Sequence, residues 1–132
     1  MKKIFVLLII LTLTLSLFTA CTNKITELKM GKYTLVMQEN NEIPDVMLPC
    51  ITLTDEQFTF VYDSLSSYFN IGTYKITDEI LMLTTSDKKY TYSFKIDGDS
   101  LIFIEDKSDS VGLIDSKFGV QVLDGSEFKL TE

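Results

Sequence analysis

Between Thr73 and Ile104 the chain repeats one pattern four times: a short run of apolar and β-branched residues, then a few turn residues, then the next run. The runs are Thr73-Tyr74-Lys75-Ile76, Ile80-Leu81-Met82-Leu83, Tyr90 to Ile96 and Leu101-Ile102-Phe103-Ile104. In the third, Tyr90, Tyr92, Phe94 and Ile96 alternate with Thr91, Ser93 and Lys95, the period of two that puts one face of a strand in a core and the other in water. The connections, Thr77-Asp78-Glu79, Ser86 to Lys89 and Asp97-Gly98-Asp99-Ser100, have the length and chemistry of hairpin turns. Successive strands joined so tightly must pair with their neighbours, which predicts an antiparallel meander.

The same alternation occurs upstream in Tyr33-Thr34-Leu35-Val36-Met37 and Phe58-Thr59-Phe60-Val61-Tyr62, with a further strand expected at 50–54. Residues 38–45, polar and containing Pro44, read as a loop. Ser64 to Asn70 fits either a wide loop or one helical turn, and 105–117 an irregular crossing. Phe118 to Val122 and Phe128-Lys129-Leu130 are the segments expected to close the sheet. About seven or eight strands in roughly 100 residues would leave an apolar face and two unpaired edges if the sheet stayed open. The expected fold class is therefore all-β, a small lipocalin-like barrel or strongly curved sheet, with a two-layer sandwich second. Ala20 is the only alanine, so the chain beyond it lacks the best helix former.

The N-terminus reads differently. Lys2 and Lys3 precede an apolar run from Ile4 to Leu17, the n-region and h-region of a secretory signal, and the run is short of the ~20 apolar residues of a membrane-spanning helix. It ends in Phe18-Thr19-Ala20-Cys21. This junction resembles the lipobox of bacterial lipoproteins, with Phe18 where Leu is usual. The resemblance implies a signal peptide over 1–20, cleavage after Ala20 and a diacylglyceryl group on the Cys21 thiol. Two acyl chains hold a protein on a bilayer stably. The expected organisation is a lipidated Cys21 and tether over 21–30, then a single β-domain over 31–132. Loss of Lys2 and Lys3 would take the net charge from −7 to −9, which argues against nucleic acid as a partner and against adhesion to anionic lipid. With Cys21 acylated, Cys50 has no partner for a disulfide, and its apolar setting suits a small buried hydrophobe.

The 132 residues contain no His, and all 12 cations are Lys. Serine triads, Cys/His dyads and imidazole metal sites are thereby excluded. Ser86-Asp87-Lys88-Lys89 matches the Ser-x-x-Lys motif of penicillin-binding proteins, but it falls in a hairpin turn and the accompanying Ser-Asp-Asn and Lys-Thr-Gly motifs are absent. Asp97-Gly98-Asp99 begins like a calcium loop, yet the twelfth position is Ser108 rather than a bidentate Glu. No metal ligand set and no cofactor is expected. The acidic stretch Glu105 to Asp115 reads as a solvated face. An opposed carboxylate pair would permit glycoside hydrolysis without His, although no pair is identifiable by spacing. The candidate binding residues are the aromatics Tyr33, Phe58, Phe60, Tyr62, Tyr74, Tyr90, Tyr92, Phe94 and Phe103. Inside a small barrel such rings either fill the interior or line a ligand cavity.

The stretches Ile51 to Asp55, Phe58-Thr59-Phe60, Leu65 to Tyr68, Gly72 to Ile76, Tyr90 to Ile96 and Asp124 to Phe128 together resemble a small extracytoplasmic β-domain of Firmicute lipoproteins. They are also similar to segments appended to membrane regulators of the β-lactam-sensing metallopeptidase type. The resemblance implies an extracytoplasmic, non-catalytic module; the His-Glu-x-x-His zinc site of such regulators has no counterpart here. The functional expectation is a membrane-anchored binding or interaction module for an envelope protein or small ligand. The alternatives are an accessory regulator that caps a neighbouring membrane protein and, more remotely, a His-free carboxylate hydrolase.

Overall fold

The computed structural model describes residues 27–37 and 43–132. The expected signal peptide, Cys21 and residues 22–26 of the expected tether lie outside the described residues.

Among the described residues eight strands follow one another: β1 (Gly31–Leu35), β2 (Cys50–Leu53), β3 (Gln57–Val61), β4 (Asn70–Thr77), β5 (Ile80–Thr85), β6 (Thr91–Asp97), β7 (Ser100–Phe103) and β8 (Glu127–Leu130). Each pairs antiparallel with the next, and β8 returns to β1 through Tyr33↔Leu130 and Leu35↔Phe128. The result is a closed up-and-down barrel in the order of the sequence. Closure leaves no sheet edge to template another chain.

The alternation predicted for the meander holds for the inward residues of β6, although Ser93 on its other face is buried as well and Ile76 of β4 is exposed. In β6, Tyr92, Phe94 and Ile96 are buried while Lys95 and Asp97 are exposed. The turn between β4 and β5 is Asp78-Glu79, both in the left-handed region at φ 50° and 64°. That is the backbone of the tightest hairpin turn, which normally selects Asn or Gly.

Several boundaries differ from expectation, such as β4 starting at Asn70 rather than Thr73, and three differences have a cause visible in the hydrogen bonding. Strand β1 stops at Leu35 rather than Met37: the Leu35 N–H donates to the Pro49 carbonyl, and Pro49 has no N–H to return. Strand β6 starts at Thr91, leaving Tyr90 in the preceding turn, where its carbonyl accepts the Thr85 N–H and its own N–H donates to the Thr85 hydroxyl. The segment 118–122 is no strand; Ser116–Phe118 is a single 3-10 turn whose Lys117 N–H is capped by the Asp115 carboxylate at 2.9 Å. Strand β8 already has β7 and β1 on its two sides, so no ladder is open to a ninth strand.

The two barrel ends are unlike. At one end lie the tight turns 54–56, 78–79 and 98–99; at the other lie the connecting segments 43–49, 62–69, 86–90 and 104–126. The longest of these buries Val111 and Val122 against the barrel core. Gln121 Nε2 pins it by donating to the Val111 and Val122 carbonyls at 3.1 and 3.0 Å.

The chain enters at the tight-turn end. Leu28 packs on the core, Lys29 Nζ meets Asp99 at 2.8 Å, and the Lys29 carbonyl accepts from the Tyr33 hydroxyl at 2.7 Å. Residues 28–30, expected as the last part of a tether, are thus clasped to the barrel floor. The C-terminus lies beside them, with the Lys32 N–H donating to the Glu132 carbonyl.

Candidate functional site

Six of the nine candidate aromatics, Tyr33, Phe58, Phe60, Tyr92, Phe94 and Phe103, are at most 1% exposed and belong to the core. Phe60 stands at the centre, with ring centroids 5.1 Å from Tyr92, 5.7 Å from Phe94 and 5.9 Å from Phe128, all edge-to-face. These rings fill the interior. Phe128 completes the cluster; sequence reasoning placed it in a strand but not in the aromatic set.

The other three candidates sit at the ends. Tyr74, half-buried, donates its hydroxyl to the Thr54 carbonyl at 2.6 Å on the tight-turn side. Tyr90 packs edge-to-face on Tyr68 at 5.2 Å on the long-loop side. Tyr62, just past the end of β3, stacks against Phe60 at 5.4 Å and Tyr92 at 6.1 Å.

Around Tyr62 the long-loop end opens into a pocket of about 160 Å³, whose lining includes Phe60, Tyr62, Asp63, Tyr68, Phe69 and Asn70. Its floor is the top of the ring cluster. Asn70, buried at the first position of β4, accepts the Tyr92 hydroxyl at 2.7 Å. That bond satisfies a phenol in the barrel interior, and burial pushes the Tyr92 pKa up, so it stays a neutral donor.

Asp63 forms one wall and is 6% exposed. One carboxylate oxygen accepts the Leu65 N–H at 2.9 Å and the other the Ile114 N–H at 2.7 Å. With the Ser64 hydroxyl on the Phe118 carbonyl at 3.2 Å, Asp63 ties the 62–69 loop to the long crossing. Sequence reasoning missed both Asp63 and Asn70, because a single polar residue in a loop carries no periodic signal.

At the rim the Tyr68 hydroxyl donates to Asp87 at 2.8 Å. The Thr85 hydroxyl and the Lys89 N–H donate to the other Asp87 oxygen at 2.7 and 3.1 Å. These donors, the Thr85 hydroxyl first, bring the Asp87 pKa from 3.8 down to about 2. A depressed folded pKa means stabilisation that is fully present above the unfolded value near 3.8 and is lost as pH falls toward 2. Asp87→Asn is therefore expected to flatten the acid limb of the stability curve between about pH 4 and 2. Chemical denaturation across that range checks this, and an unaltered slope would count against the network.

Cys50 is free and half-buried rather than fully buried. Burial raises its pKa, partly offset by Lys32, which leaves a poorly reactive thiol. Among the described residues no group of three or more Cys, Asp or Glu is placed to hold a metal ion, and no helix is long and apolar enough to cross a membrane. Comparison with family models, with curated proteins and with solved structures finds no match to the chain.

Proposed function

We propose that the protein is a lipid-anchored, extracytoplasmic, non-catalytic binding module that works through the long-loop end of its barrel. The observation that carries this is the polarity of the barrel: the chain enters at the tight-turn end, opposite the mouth pocket. The six Cα steps from Cys21 to Glu27 span at most about 22 Å even when fully extended, so a lipid on Cys21 would hold the tight-turn end toward the bilayer. That end carries Asp55-Glu56, Asp78-Glu79 and Asp99 in its three turns and Asp97 at the end of β6, which repel anionic head groups and keep the domain off the surface with its mouth outward.

The mouth pocket offers a single carboxylate, Asp63, among its lining residues, whereas hydrolysis by paired carboxylates needs two facing each other. Without His anywhere in the chain, binding is the better-supported role.

A second reading, a regulator that caps a neighbouring membrane protein, draws support from the exposed apolar side chains at the same end. Val46 is 89% exposed, Phe69 76% and Ile114 68%, each on a different connection of that end, apolar surface that a partner would cover. Both readings use the same end of the barrel.

Cys21→Ala tests the anchor. The variant is expected to leave the membrane fraction, or to persist as an uncleaved precursor. Fractionation and immunoblotting read the outcome, and a variant that is processed and still membrane-bound would contradict the anchor.

A further inference from the structure

We infer that the mouth pocket is a site for an alkylammonium group. The inference deepens the reading above, resting on the long-loop end being the working one.

Four of the ten lining residues are aromatic, Phe60, Tyr62, Tyr68 and Phe69, and Asp63 is among them while no lysine is. Ring faces carry the negative part of the aromatic quadrupole and attract cations, most strongly those that shed water easily. Asp63 adds a formal charge that is itself buried. Among the described residues the ion pairs are Lys29 with Asp99 and Lys89 with Asp87, so no lysine there neutralises Asp63. The backbone N–H groups on its two oxygens satisfy them but bring no formal positive charge, which a bound cation would supply.

The same features exclude other ligand classes. An anion would face Asp63 with no cation in the lining to receive it. A calcium ion needs six to eight oxygens, whereas Asp63 is the lone carboxylate and both its oxygens already accept backbone N–H groups. An apolar ligand would leave the carboxylate unmatched. The volume of about 160 Å³ is many times the ~10–15 Å³ that one water needs, and it takes a small organic group. A trimethylammonium or the end of a lysine side chain is of that size.

Isothermal titration calorimetry on the full-length protein in non-ionic detergent and sodium buffer would compare choline with 3,3-dimethylbutanol, its neutral carbon isostere. Choline is expected to bind at least about tenfold more tightly. Asp63→Asn is expected to reduce choline binding by a similar factor. Because Asp63 also ties two loops together, Phe69→Ala serves as the second variant: its ring is largely exposed, so removal costs the fold little and is expected to weaken choline several-fold. A third titration with N-acetyl-lysine methylamide separates the sources. Tighter binding than choline assigns the site to a basic side chain of a protein partner, and weaker binding to a small quaternary amine. Equal affinity for choline and its isostere, or no binding of either ammonium compound, would overturn the inference. Since the experiment is done in detergent, that failure would leave the lipid anchor unaffected.

Discussion

Phe60→Ala is expected to destabilise the barrel by about 3–5 kcal/mol, the range for truncating a fully buried phenylalanine. The ring is 1% exposed and touches Tyr62, Tyr92, Phe94 and Phe128. Its loss removes four aromatic contacts together and opens a void that the closed sheet cannot collapse to fill, since every strand is hydrogen-bonded on both sides. Against a typical total of about 5–15 kcal/mol, the variant is marginal at growth temperature. Urea denaturation checks it: the midpoint should fall while the slope stays constant. A loss below about 1 kcal/mol would mean that Phe60 is not the hub of the core.

A valine at position 72 is expected to be as damaging by a different route. Gly72 lies in β4 opposite Thr85, and a Cβ there would come within 2.0 Å of the Thr84 carbonyl oxygen and 2.8 Å of the Thr85 Cα. Both are backbone atoms of β5, so no side-chain rotation relieves the clash. The two strands would have to part along a ladder that runs from Gly72↔Thr85 to Thr77↔Ile80. A cost of at least about 3 kcal/mol follows, as for other large overpacking effects, and much of the protein should be insoluble. Gly98→Ala is the contrast. Gly98 has φ +60°, but a Cβ added there would meet nothing within 4 Å, so the change should cost only about 1 kcal/mol of backbone strain. Equal losses at the two positions would refute the close-approach argument.

The barrel was legible in the sequence for a physical reason. A closed meander has local pairing, and local pairing writes itself as alternation punctuated by turn residues. Tyr92, Phe94 and Ile96 point inward because their spacing says so, and Asp97-Gly98-Asp99 turns because its residues favour it. The segment Phe118-Gly119-Val120-Gln121-Val122 has the same alternation and is not a strand. Its exclusion depends on β8 being already paired on both sides, a property of the closed barrel and not of those five residues. Cys50 misled in a similar way: the apolar run Leu48 to Leu53 suggests full burial, but in β2 the buried positions are Ile51 and Leu53, leaving Cys50 half-covered.

The candidate site was legible only in part. The aromatic set pointed at the interior, and the structure shows that most of it is packing: Tyr33, Phe58, Phe94 and Phe103 support the barrel. Phe60 and Tyr62 also contribute to the mouth pocket, because β3 ends there. Asp63, Tyr68 and Phe69 come to it from one irregular connection and Asn70 from the first position of β4; the path of that connection is set by the hydrogen bonds of Asp63 to Leu65 and Ile114, 51 residues apart from Asp63 in the second case. Contacts of that range have no signature in a single sequence.

Mass spectrometry of the intact protein extracted from its own membrane decides whether Cys21 carries the lipid. The expected result is a mature chain that begins at Cys21 and carries the added mass of a diacylglyceryl group. An unmodified Cys21 in a processed chain, or a mature N-terminus elsewhere, would contradict the anchor and with it the outward orientation of the mouth.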